Sequence, residues 1–484
     1  MRRLIRNLRQ VGYEIQTLEW QVVGPRLAAI LGGTALVVVL IIGAGGTTDR
    51  RLKSGVPTLR NGATDARLKG LEQSAAENPS EVGVRNRLGQ AYLDQGNFAG
   101  AATAFGEAIL LDEQQFLLKG KSSDGKAVLG MAGIASRVGA PNKAAEFAKE
   151  ILKDEDNRKN VAANLTLAES LTRLGKLKEA REKYEMLLKL APDDRLVKLS
   201  ASTHFYISRD FTRALDLARR ASAMDRSDPI GSLLMARCRE AMGEPDAAAQ
   251  ALGSFLDRKP ASTQVAMALG QLRMRQSKLP EARAVFERGA EADPKSPLPK
   301  VMMGFTYLVE SNPAEAQRQF AAALTRSDAS VSARLGLAVA QSMGGNRAQA
   351  IDEYEKVLKL NPGLITALNN LAFLYAEEGK NLDRAQELAE RALTRSPGSA
   401  SVMDTVGWVL YRQGKYPQAI AHFQQAVKIR PKSGSIHYHL GKALLAQGNT
   451  DAGRSEVLKA TQLTLEKTER DDAVRIVGGD ASSL

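Results

Sequence analysis

The sequence predicts an all-α chain: a solenoid of about eleven antiparallel helix pairs preceded by one transmembrane helix. Three observations carry this prediction. They are a composition rich in Ala and Leu but poor in aromatics, a lattice of small residues with a fixed period, and one uncharged apolar run near the N-terminus.

The 484 residues are 44% hydrophobic, 25% charged and only 5% aromatic. The apolar share is ample for folding, and the length exceeds one compact core, so several units or a repeat array is expected. Small residues and Leu suit closely packed helices and suit sheets badly. A lone Cys238 excludes an internal disulfide framework and a Cys-rich zinc site. The net charge of +13 suggests nucleic acid until it is divided along the chain. Residues 1–63 hold nine Arg/Lys against Glu14, Glu19 and Asp49, whereas the remaining 421 residues carry 58 against 51. The excess surrounds the apolar run, where a membrane explains it better and no nucleic-acid partner is expected.

Residues 27–45, LAAILGGTALVVVLIIGAG, contain no charge. As a helix they span about 28 Å, close to the hydrocarbon thickness of a bilayer. The 26 residues before them are long for the leader of a cleaved signal peptide, although the small-residue cluster Gly43–Gly46 leaves cleavage open. Arg2, Arg3, Arg6, Arg9 and Arg26 are expected to keep the tail (1–26) in the cytoplasm while the bulk crosses. That gives a single-pass protein of a bacterial inner membrane with its array in the periplasm. Arg50, Arg51, Lys53 and Arg60 pull the opposite way. Residues 46–80 read as a polar linker with one short helix near 64–76, and residues 465–484 as a polar cap and tail.

Between them, residues 81–464 repeat. Stepping by 34 from Ala168 lands on Ser202, Ala236, Gly270, Gly304, Ala338 and Ala372, all small. The same step from Ala180 gives Ala214, Ala248, Ala282, Ala316 and Ala350, and prolines recur at Pro192, Pro260, Pro294 and Pro362, with Arg226 and Asp328 as exceptions. After one inserted residue near Lys380 the lattice resumes at Gly407 and Gly441, with Ala385, Ala419, Pro397 and Pro431. Small side chains on two antiparallel helices let the backbones approach. Gly175, Gly243, Gly345, Gly379, Gly414 and Gly448 fall between paired helices, where a turn needs positive φ or minimal bulk.

These residues resemble the tetratricopeptide repeat. Its pattern is matched by Leu88-Gly89, Tyr92, Ala101, Phe105 and Ala108, by Met303-Gly304, Tyr307, Ala316, Phe320 and Ala323, and by Leu371-Ala372, Tyr375, Ala385, Ala392 and Pro397. The resemblance implies a right-handed superhelical solenoid whose first helices line a concave groove for peptides or partner segments. It specifies fold far more than function.

Catalytic chemistry is nearly absent from the sequence. Gly120 to Lys126 fits seven places of a phosphate-binding loop, but the eighth is Ala127, so the magnesium-ligating hydroxyl is missing. No apolar strand precedes it, and a flexible insertion is the better reading. His437 and His439, two apart on one helix, point to different faces and cannot chelate one metal. No catalytic, cofactor or metal residue is assigned, and no small-molecule substrate is expected. The candidate site is a partner-binding groove. Phe305, Phe373 and Trp408 each follow a small contact residue, and Tyr438 lies one turn earlier in its repeat. Asn369, Asn370, Asp404 and Arg412 add polar groups able to bond an extended backbone. Packing of the aromatics against the next helix is the competing reading. Residues 367–448 are also similar to repeats of bacterial exopolysaccharide-export and surface-assembly systems. The expected function is therefore a non-enzymatic, membrane-anchored scaffold of an envelope system: exopolysaccharide export, secretion or pilus biogenesis. The alternative is a cytoplasm-facing, tethered regulator of an envelope component.

Overall fold

The structure is a computed structural model that describes residues 62–79, 81–119 and 126–478. The tail, the apolar run 27–45 and residues 120–125 of the loop ending at Lys126 lie outside the described residues. Among the described residues there are twenty-four helices and no strand, and no helix is long and apolar enough to cross a membrane.

Eleven helix–turn–helix units follow one another from Val82 to Thr461, with one further helix at each end. The chain divides into two compact bodies, residues 62–272 and 273–478 among those described, and the sixth unit straddles the division. The first body opens with the helix Gly62–Glu77. Its Leu68, Leu71 and Ala75 fall on one face and pack with Val84, Leu88 and Tyr92 of the next helix, Val82–Asp94. The short helix expected near 64–76 is this helix, and it packs on the array instead of standing apart within a linker. The second body ends with the helix Lys467–Gly478, whose buried Ala473 packs with Tyr438, Val457, Ala460 and Leu465.

The turns follow the glycine lattice. Gly175, Gly243, Gly345, Gly379, Gly414 and Gly448 all have φ between 67° and 93°, the left-handed region that closes a helix without a Cβ penalty. One period beyond Gly175 and Gly243 stand Arg209 and Ser277, and beyond Ser277 stands Ser311, each with φ 61°. At these three turns the repeat geometry imposes a left-handed backbone on residues that carry a side chain. Helix starts are capped locally: the Asn160 side chain accepts from Ala163 N, and Ser330 and Ser399 accept from Ala333 N and Val402 N.

In each body one aromatic ring, set between two glycines, joins three successive helices. In the second body Phe320, on the helix Pro313–Leu324, is fully buried. A Cβ at Gly304, on the preceding helix, would lie 2.7 Å from its ring, and one at Gly336, on the following helix, 2.2 Å. The first body repeats this with Phe105, which a Cβ at Gly89 would approach to 2.8 Å and one at Gly130 to 2.4 Å. Ala316 and Ala323 are buried on the same helix as Phe320. The small-residue lattice is therefore a set of sockets for rings.

Overpacking the socket should be costly. Gly336→Leu is expected to lower unfolding stability by roughly 1–3 kcal/mol or more, and Phe320→Ala in that background should recover part of the loss. Gly253→Ala is the control, because a Cβ there meets nothing within 4 Å, and it should be neutral or stabilising. Denaturant midpoints of the three variants check this, and an unshifted midpoint for Gly336→Leu would show the socket to be misread.

Candidate partner-binding cavity

Within the second body the helices Ile365–Glu378, Ala400–Arg412 and Gly434–Ala446 are the first members of three consecutive pairs. Together with residues 462–470 they border a cavity of about 1350 Å³. The walls carry seven of the eight residues expected from sequence: Asn369, Asn370, Phe373, Asp404, Trp408, Arg412 and Tyr438. Phe305 is not among them. It is 5% exposed and packs edge-on against Phe320 with ring centroids 5.1 Å apart, so it serves the core and not the groove.

The polar wall is hydrogen-bonded within the protein. Asn370 Nδ2 donates to the Tyr354 hydroxyl at 3.1 Å, and Asn369 Nδ2 makes a long contact of 3.4 Å with Asn370 Oδ1. Asn369 is 8% exposed, and its side-chain oxygen is buried without a hydrogen-bond partner. A buried acceptor left this way costs about 1–3 kcal/mol, so a donor arriving from a ligand would be favoured there.

Trp408 is held differently from an open anchor. Its ring stacks on Tyr411 at 4.9 Å and on His439 at 4.3 Å, and its Nε1 donates to Glu377 Oε1 at 2.8 Å. Packing between successive helices thus accounts for Trp408. Arg412 donates to the Glu377 backbone oxygen at 3.1 Å, and Arg347 lies 3.6 Å from the Glu377 carboxylate. Tyr438 donates to Asp472 Oδ2 at 2.6 Å, where Lys442 also binds at 3.0 Å. Phe373 is half-buried on this wall, as is Tyr411.

His439 was not singled out by sequence, yet it joins three elements. Its Nδ1 lies 2.7 Å from Asp404 Oδ1, and its Nε2 lies 3.6 Å from Glu469 of the last helix. His437 faces the other way, toward Glu456 at 2.5 Å and the Pro431 oxygen at 3.0 Å. The two histidines therefore serve different interfaces, as their spacing requires. Register gives the missed signal. Gly336, Asn370 and His439 each come sixteen residues after a buried ring, those of Phe320, Tyr354 and Phe423, and that position touches the ring of the previous pair. Among the described residues no group of His, Cys, Asp and Glu is arranged to hold a metal ion.

A separate polar cluster lies in the first body. Ser200 Oγ donates to Glu169 Oε1 at 2.6 Å, and burial pushes that carboxyl up to about 7 against the Ser200 bond and the nearby Arg173 charge. His204 is fully buried with Nδ1 3.0 Å from Thr172 Oγ1, and burial, aided by Arg181, pulls its imidazole down to about 4.

Comparison with known proteins agrees with this architecture. Family models described as tetratricopeptide repeat match residues 68–116, 135–202, 233–297 and 302–365, and one described as TPR repeat matches 407–448. Together they cover more than half of the chain, which belongs to the tetratricopeptide-repeat family. A TPR repeat-containing protein of Pseudomonas aeruginosa is 30% identical over 112 residues, covering 22% of this chain and 19% of its own length. A mouse protein O-mannosyl-transferase, TMTC1, is 28% identical over 109 residues, covering 22% of this chain and 12% of its own. The chain thus spans under a fifth of the length of either relative. Among solved structures, a chain of the APC/C hetero-tetramer Cut9–Hcn1 is similar with a TM-score of 0.43 and 13% identity, over 86% of this chain and 94% of that one. Pseudomonas aeruginosa PilF is similar with a TM-score of 0.38 and 16% identity, over 45% and 97%.

Two outcomes test the polar assignments. A double-mutant cycle of Asp404→Ala and His439→Ala should give a coupling of roughly 1–3 kcal/mol, and additive losses would mean that the pair is not joined in solution. Glu169 titrates higher folded than unfolded, so the folded chain binds more protons between about 4.5 and 7. Glu169's contribution to stability should fall as pH rises through that window and level off above it. Buried His204, whose pKa is lowered to about 4, contributes the opposite slope below about 6.5, so the Glu169 slope is read as the difference between the native chain and its Glu169→Gln variant. Glu169→Gln should lose that slope, and an unchanged pH profile would contradict the assignment.

Proposed function

We propose that the chain is a non-enzymatic, membrane-anchored scaffold whose cavity receives a protein or peptide segment during assembly of a bacterial cell-envelope system. The observation that carries the reading is the convergence of Asn369, Asn370, Phe373 and Arg412 on one cavity large enough for several side chains. The unpaired Asn369 oxygen supports an extended partner, because each backbone N–H of such a segment is a donor in need of an acceptor. Residues 27–45 supply the tether, and the Arg-rich tail before them favours a cytoplasmic N-terminus with the array in the periplasm. Exopolysaccharide export, secretion and pilus biogenesis are the assemblies in which partners are to be sought.

A second reading rests on Arg50, Arg51, Lys53 and Arg60, which oppose translocation from the far side of the apolar run. It makes the chain a cytoplasm-facing, tethered regulator of an envelope component. Reporter fusions after residue 60 and at residue 484, one active only in the periplasm and one only in the cytoplasm, separate the two. A periplasmic signal at both sites is expected. A cytoplasmic signal at both would sink the periplasmic scaffold and leave the tethered regulator.

A further inference from the structure

The cavity is electrically unbalanced in a way that bears on what enters it. Seven Arg or Lys and four Asp or Glu line it. All four acids are already engaged within the protein. Glu377 accepts from the Trp408 indole, Asp404 faces His439, Glu469 accepts from Ser435 Oγ at 2.7 Å, and Glu466 has partners of its own. Among the cations, Arg347, Arg412 and Lys442 are held by Glu377 or Asp472. Lys432, Lys467 and Arg470 line the cavity, are exposed and make no ion pair among the described residues. Two separate elements supply them: the turn before Gly434–Ala446 carries Lys432, and the last helix carries the other two.

Resting on the reading of the cavity as a partner site, we infer that its occupant is an extended peptide segment rich in Asp and Glu, with carboxylates directed to Lys432, Lys467 and Arg470. An excess of one sign of charge on a cavity lining, with the lining's own counter-charges engaged, selects the opposite sign in a partner and steers its approach. A basic segment would face the three unpaired cations and find no unpaired acid on the lining, which disfavours it through like-charge repulsion.

The test is selection from a phage-displayed random dodecamer library on the full-length chain and on its Lys432→Glu/Lys467→Glu/Arg470→Glu variant. All three side chains are exposed, so the variant should keep its helicity and melting midpoint, which circular dichroism checks. Peptides recovered on the native chain should be net acidic relative to the input library. The best of them, as a labelled synthetic peptide, should bind the variant at least about tenfold more weakly and lose affinity between about 0.05 and 0.5 M salt. Recovery of neutral or basic peptides, of none at all, or of acidic peptides that the variant binds equally would overturn the inference. Neutral peptides that lose binding in Asn369→Leu/Phe373→Ala would leave the cavity as the partner site while removing its acid preference. Peptides of any charge indifferent to that second variant would remove both. Phosphatidylglycerol vesicles form the last arm: binding to them, lost on charge reversal, with no acidic peptide recovered, would transfer the site from peptide to anionic lipid.

Discussion

In each body one ring is seated between two residues that have no side chain: Phe105 in the first and Phe320 in the second. Phe320 cannot reach both the helix before it and the helix after it unless Gly304 and Gly336 leave the space open. One buried ring therefore fixes two helix–helix distances, the one within its own pair and the one to the next. Because interiors are packed to near-crystalline density, those distances are not adjustable by more than a few tenths of an ångström without loss of contact. The 34-residue period follows from this constraint: each turn of the lattice must deliver a socket to the next ring.

The site inherits its geometry from the same contact. Where the following helix offers a polar residue instead of glycine, the ring position becomes a place to hold chemistry. Tyr354 takes a hydrogen bond from Asn370, and Phe423 lies 5.7 Å from the ring of His439. Asn370 and His439 are thus fixed by the core and turned toward the cavity wall, with Asp404 and Trp408 set against His439. Rigidity of this kind lowers the ordering cost of binding an extended segment, since the receiving groups are already placed.

The repeat is legible in the sequence because small residues, turn glycines and prolines are each demanded by backbone geometry and recur in phase. The aromatic site candidates rest on their place beside the small residue of a first helix. That rule finds which helix bears a residue but not which side of it the ring takes. Phe305 shows the difference, turning into the core on Phe320, and Trp408 has both faces covered by Tyr411 and His439. The helix Gly62–Glu77 is legible as a short helix near 64–76, but its docking is not, because its three-residue apolar face is decisive only when Val84 and Leu88 are there to cover it. His439 gives no local signal because its partner Asp404 is thirty-five residues away, beyond any short pattern.

The central claim is that the cavity wall of the second body, and not the outer helices, meets the partner. Photo-crosslinking in cells with a benzophenone amino acid tests it most directly. One substitution stands at Phe373, on the cavity wall, and the other at Gln386, half-buried on the second helix of the same pair and not part of the cavity lining. A discrete adduct is expected from position 373, weakened by the Asn369→Leu substitution, and none from position 386. Adducts from position 386 alone, or from both positions regardless of Asn369, would contradict the claim.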